Sequence, residues 1–209
     1  MTVRRNSSTR PTRSPSNRSL RPALLVFTEG EKTEPQYLTP WLRQHRASVT
    51  VEIDRRHGTP MTLVSMAIDA QSAAAKDERR GRGTAPSGIW CVFDRDEHPL
   101  VEEAKALAAT NGILVAFSNP CFELWLLLHY QDQIGWLERD RAQSLFKTAA
   151  SLRKYKQLPP EITDHLMQHN DEAADRARRL DQLHSGNGSP EGENPSSSVW
   201  RLIDAIRNN

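Results

Sequence analysis

No apolar run in this 209-residue chain approaches the roughly 18–20 residues that a membrane-spanning helix requires. The longest, residues 124–128, is short enough to be one piece of a buried helix, so a helical integral membrane protein is excluded. Cysteine is scarce as well: Cys91 and Cys121 are too few for a disulfide scaffold or a four-cysteine zinc site. Both lie in apolar surroundings, where free thiols act as small hydrophobes in a reducing compartment. No Gly-x-x-x-x-Gly-Lys-Ser/Thr loop is present, so the chain is not itself a P-loop ATPase. The first arginines are not succeeded by an apolar segment of about 7–15 residues, which argues against a secretory signal and points to the cytoplasm. The length suits one domain, or one domain with a small appendage.

Acid is also missing from the start of the chain. Residues 1–28 carry six arginines (Arg4, Arg5, Arg10, Arg13, Arg18 and Arg21) and neither aspartate nor glutamate before Thr28. The remainder holds 22 basic and 26 acidic residues, a formal −4 beneath an overall charge of +2. Residues 1–21 therefore form a Ser/Pro/Arg tail that cannot bury apolar area and is expected to be disordered. Its charge suits salt-sensitive contact with nucleic acid.

Past the tail the pattern becomes regular. Short continuous apolar runs over residues 23–27, 89–93 and 113–117 predict strands buried on both faces, and residues 48–54 alternate like a half-buried strand. Between and after them, residues 35–46, 62–77, 100–110 and 121–130 carry helical patterns, the last apolar nearly all round and hence central. This alternation predicts an α/β fold with a mainly parallel sheet flanked by helices. From residue 136 onward no strand is evident; residues 139–155, 162–169, 171–184 and 199–207 are expected to be helical. The organisation that results is a tail at 1–21, an α/β core at 22–132, and a helical extension at 133–209 packed on that core.

In an open parallel sheet, ligands bind beyond the carboxyl ends of the strands, and this chain places its acids there. Glu29, Glu31 and Glu34 come after the first apolar strand; Asp94, Asp96 and Glu97 come after the strand at 89–93; Glu123 comes after Asn119-Pro120. Carboxylates gathered at one sheet edge repel one another, and a hard divalent cation relieves that repulsion. Acids at helix starts are also favoured by the helix macrodipole, which is explanation enough for Glu31, Glu34 and Glu97. It explains the Asp94/Asp96 pair poorly, because alternate residues of a strand end point to the same side. Lys32 could add a point charge for phosphate. Arg55 and Arg56 reach the same edge, and Lys154-Tyr155-Lys156 places an aromatic ring between two cations, as nucleic-acid surfaces do. Arg95 is expected in a structural ion pair, and His98 at the surface of a helix end.

A buried strand ending in Glu-Gly, with a later one ending in Asp-x-Asp, resembles the Toprim fold. Four blocks narrow the resemblance: residues 27–34 (Phe27 to Glu34), 90–98 (Trp90 to His98), 118–126 (Ser118 to Leu126) and 194–199 (Asn194 to Val199). In this order they resemble the RloB family, with which the abortive-infection protein AbiLii belongs, over about residues 22–207. The resemblance implies a Toprim-like, Mg²⁺- or Mn²⁺-dependent nuclease of anti-phage defence, acting on DNA or RNA, tRNA included, with a partner ATPase encoded nearby. It implies that Glu29 acts as general acid/base or shares the metal and that Asp94 and Asp96 bind it. Glu123 is added from the loop argument as a ligand for a second cation. A non-catalytic subunit using the same acidic pocket to bind a nucleotide or a partner is the alternative. An aspartyl-phosphate phosphatase is disfavoured, because His98 stands where that motif places Thr or Val.

Overall fold

A computed structural model describes residues 22–95, 98–152 and 157–208. The expectations for the tail at 1–21, for Asp96, and for Lys154 and Lys156 lie outside those residues.

Apolar runs become the strands that the pattern predicts. β1 (Ala23–Thr28), β3 (Gly88–Asp94) and β4 (Leu114–Asn119) bury side chains on both faces, whereas β2 (Thr50–Ile53) is half covered. They pair in the order β2-β1-β3-β4, all parallel. Between them lie α1 (Thr33–His45), α2 (Pro60–Arg79) and α3 (Val101–Thr110). Tyr37, Leu38 and Trp41 of α1 join the core on one face of the sheet, while Leu63 and Val64 of α2 and Ala104 of α3 join that on the other. The chain thus leaves β1 toward β2 on one side and returns across to β3 on the other. That reversal creates a crevice between the carboxyl ends of β1 and β3, the place where open α/β sheets bind ligands.

The face that holds α1 also holds α4 (Phe122–Leu128), α5 (Arg139–Ala149), α6 (Pro160–Gln168), α7 (Asn170–Gly186) and α8 (Val199–Arg207). As expected of an all-round apolar helix, α4 is central, with Leu124, Trp125, Leu126, Leu127 and Leu128 all buried. Arg176 from α7 reaches back to donate to the Leu128 carbonyl at its end.

Two sequence expectations need correction. The helix beginning at Arg139 stops at Ala149 and does not continue to residue 155. Ser151 takes a positive φ of 54°, and the Leu152 amide donates to the Lys147 carbonyl at 2.7 Å. This closes a Schellman-type end without the glycine that normally announces one. The second correction concerns the strand count. The C-terminal third does contribute a strand, β5 (Ser196–Ser197), paired antiparallel with Ser118 and Asn119. It is too short and polar to show a period. Side chains position it instead: Asn119 donates to the Gly192 carbonyl at 2.9 Å, and Asn194 makes two hydrogen bonds with the Leu137 backbone. The distant blocks at 118–126 and 194–199 are thereby neighbours at one sheet edge. Among the described residues no helix is long and apolar enough to cross a membrane.

Candidate functional site

The crevice between β1 and β3 is built from the two strand ends. Past Thr28 the chain keeps pairing for one more residue, the Glu29 amide donating to the Val92 carbonyl at 3.0 Å. This holds the Glu29 side chain against β3. Its Oε2 accepts from the Asp94 amide at 3.0 Å, and its Oε1 meets His98 Nε2 at 2.6 Å. A carboxylate can only accept here, so His98 donates. The expectation of a surface histidine is overturned, since His98 crosses the crevice mouth to the first strand's glutamate.

Gly30 exists for a steric reason. The Glu34 carboxylate folds back over it, and Oε1 accepts from the Gly30 amide at 3.0 Å. A Cβ at Gly30 would overlap both oxygens of the Glu34 carboxylate. The fold-back buries Glu34, leaving it 6% exposed. Burial raises its carboxyl above the usual range; hydrogen bonds from its own amide and from Gly30 oppose this, and nearby Glu123 and Glu29 add to it. Glu34 is therefore a site residue, where the macrodipole alone would leave a solvated one. Nothing local in the sequence distinguishes it from Glu31, which is exposed; the Glu-Gly-x-x-x-Glu spacing is the only signal.

Asp94 closes β3 and is partly open to solvent. Its carboxyl lies well above the ordinary value. Desolvation is the main cause, then Glu34, with Glu123 and Glu29 also contributing; only a hydrogen bond from the Phe122 amide favours the charged form. Four carboxylates, Glu29, Glu34, Asp94 and Glu123, thus feel one another at the switch point. Cys121 borders the group, and its thiol is pushed up by burial and then by Glu123 and Asp94. Cys91, inside the sheet, is pushed up to about 12 by burial. Neither thiol is a nucleophile, as the apolar surroundings predicted.

The set consists of oxygen donors, which suits a hard divalent cation better than a soft one. Among the described residues no three His, Cys, Asp or Glu side chains are arranged to hold an ion. The group is therefore a coupled set of oxygens and not a finished coordination shell; Asp96, the remaining predicted ligand, lies outside the described residues.

The cations distribute unevenly. Lys32 precedes α1 and is exposed beside Glu31. Arg55 is exposed just past β2. Arg56 is held by Asp54 through two side-chain contacts at 2.9 and 2.8 Å, which draw the Asp54 carboxyl below its usual range. His57 donates from Nδ1 to the Thr28 carbonyl at 3.1 Å and ties the β2 end to β1. Arg95 pairs with Glu102 at 2.7 Å, the structural ion pair expected of it.

No curated protein and no solved structure gives a significant match to this chain. The family comparison is decisive: the model of the RloB-like protein family matches residues 24–206, a span that takes in every strand and helix from β1 to α8, and the chain belongs to that family.

Proposed function

We propose that the carboxylate group at the β1/β3 crevice is the active centre of a divalent-metal-dependent nuclease hydrolysing phosphodiester bonds in DNA or RNA. The observation that carries this reading is the mutual proximity of Glu29, Glu34, Asp94 and Glu123, which holds the Asp94 carboxyl well above its ordinary range. Structural carboxylates are normally paired with cations, and here they are paired with one another. Asp94, Glu29 and Glu123 would hold Mg²⁺ or Mn²⁺, with Asp96 beside them. When bound, such a cation supplies charge stabilisation to the phosphate oxygens.

The chain's own groups handle the proton. Glu29 Oε2 is occupied by the Asp94 amide, which fixes the carboxylate plane. Oε1 and His98 Nε2 are left as the pair that accepts a proton from an attacking water and returns it to the leaving oxygen. Lys32 and Arg55 border the crevice mouth and offer charge to the flanking phosphates. Family membership supports a place in anti-phage defence, in the cytoplasm and beside a partner ATPase, with this chain as the effector.

A cleavage assay on plasmid DNA and total tRNA with added Mg²⁺, with and without the neighbouring ATPase, tests the proposal. Metal-dependent cleavage that disappears in Asp94→Asn is the expected result. Equal cleavage by wild type and Asp94→Asn rejects it. Absence of cleavage on every substrate, together with nucleotide or ATPase binding that changes in Asp94→Asn, would favour a regulatory subunit.

A further inference from the structure

The sheet has an open edge away from the crevice. β5 covers only the upper end of β4, pairing with Asn119 and Ser118. The Ser198 amide then donates to the Phe117 carbonyl at 2.8 Å, Ser198 Oγ accepts from the Phe117 amide at 2.9 Å, and the chain turns off into α8. Alternate residues of a strand point their backbone groups to the same side. The Ser118 carbonyl accepts from Arg95 on the β3 side, so Phe117 and Val115 both face outward. The Val115 N–H and C=O therefore stand on the bare part of the edge, in line with the track that β5 leaves.

That part of the edge lies in a cleft of about 470 Å³ between α3 on one face of the sheet and α8 on the other, lined by Trp90, Lys105, Val115, Phe117, Ser196 and Arg201. Two of these carry buried polar atoms without a hydrogen-bond partner: Ser196 Oγ, on a residue 2% exposed, and Trp90 Nε1, on one 5% exposed. Buried donors are ordinarily satisfied, so a pair of them facing one cleft calls for a ligand that accepts. Leu114 beside them is 44% exposed, an apolar side chain left at the rim. The charges lining the cleft cancel: Lys105 and Arg201 against Asp181 and Glu191, with Arg201 Nη2 3.2 Å from Glu191 Oε1. A polyanion gains nothing from such a lining, whereas an uncharged main chain with alternating N–H and C=O groups matches it.

We propose that the lower half of β4 receives an extended peptide segment of a partner protein, added as a further strand in continuation of β5. Its backbone exchanges hydrogen bonds with Val115, and an uncharged hydroxyl or amide side chain on it accepts from Trp90 Nε1 and Ser196 Oγ. This is strand addition to a sheet edge, in which main-chain bonds give affinity and the alternate side chains give specificity.

The test uses the full-length chain as bait for a displayed library of random eight-residue peptides, and then synthesis of an enriched sequence. The expected result is a peptide that protects the Val115 amide from hydrogen exchange and binds Val115→Pro at least tenfold more weakly. Proline at this position removes an outward N–H and leaves the β3 pairing intact. Should Val115→Pro lose the wild-type melting temperature, Leu114→Lys serves instead, placing a charge on the rim with the same expected loss. Four results would overturn the proposal. The first is a library that yields no enriched peptide, or one whose binding ignores both substitutions. The second is self-association through this edge in sedimentation, with Val115→Pro making the chain monomeric. The third is a tenfold gain in peptide binding on deleting residues 1–21, which would make the chain's own segment the occupant. The fourth is displacement of the peptide by a single-stranded oligonucleotide.

Discussion

Glu29 and Asp94, 65 positions apart in sequence, are joined by a 3.0 Å hydrogen bond from the amide of the second to the carboxylate of the first. The bond ties the ends of two adjacent parallel strands and leaves one glutamate oxygen facing His98. Glu29→Gln keeps the shape and the acceptor for the Asp94 amide but removes the proton-accepting charge. It is expected to lower metal-dependent cleavage by about 10²–10⁴-fold, the usual contribution of general acid–base groups. His98→Ala should lose less, because the glutamate remains. The measurement is the initial cleavage rate at saturating Mg²⁺, and equal rates for Glu29→Gln and wild type would remove Glu29 from the mechanism.

Asp94→Asn separates activity from stability. A carboxyl whose folded pKa is raised costs stability wherever the pH exceeds its unfolded value, and the cost vanishes below that value. With a chelator present, Asp94→Asn should therefore melt at or above the wild-type temperature at pH 7, and the difference should close at about pH 3.5, just under the unfolded value of an aspartate. Cleavage should be abolished throughout. A lower melting temperature at pH 7 would mean that the Asp94 charge is satisfied by the fold itself.

Gly30→Ala drives a methyl into the Glu34 carboxylate. Relieving that overlap means ejecting Glu34 from its burial over the Gly30 amide, at a cost of about 1–3 kcal/mol as for other overpacked sites. Combined with Glu34→Ala the cost should fall well below the sum of the two single changes, since neighbours in contact do not add. Urea unfolding of the two single variants and the double variant measures the coupling; additive values would show that Gly30 is there for another reason.

His129 reports on the helical layer. It is buried, its ring Nδ1 bonded to the Trp125 carbonyl at 2.9 Å, and burial pushes its pKa down to about 3. A histidine with a depressed folded pKa contributes stability in full above its unfolded value and loses it as the pH falls toward the folded one. His165, also lowered by burial, acts in the same direction. Relative to His129→Gln, wild type should lose about 2 kcal/mol between pH 6.5 and 5, at about 1.4 kcal/mol per pH unit. Parallel stability curves for the two proteins would place a charged histidine in the core.

Much of this molecule is legible along the chain. The apolar runs of β1, β3 and β4 and the all-round apolar α4 arise from local period and composition, because burial on two faces leaves no polar position to fill. Glu29, Asp94 and Glu123 were legible as a group, since parallel strands deliver their carboxyl ends to one edge whatever the packing in between. Glu34 and His98 were not. Each is an ordinary helix-terminal residue by sequence, and only the approach of Gly30 and of Glu29 makes them part of the site. β5 escaped for the same reason: Ser196 and Ser197 have no periodicity, and a strand of two residues exists only because Asn119 and Asn194 hold the chain beside β4. Local propensity determines which segments are strands or helices. Which carboxylates repel, which histidine bonds to them and which sheet edge stays open are decided by pairings across the chain that no short window contains.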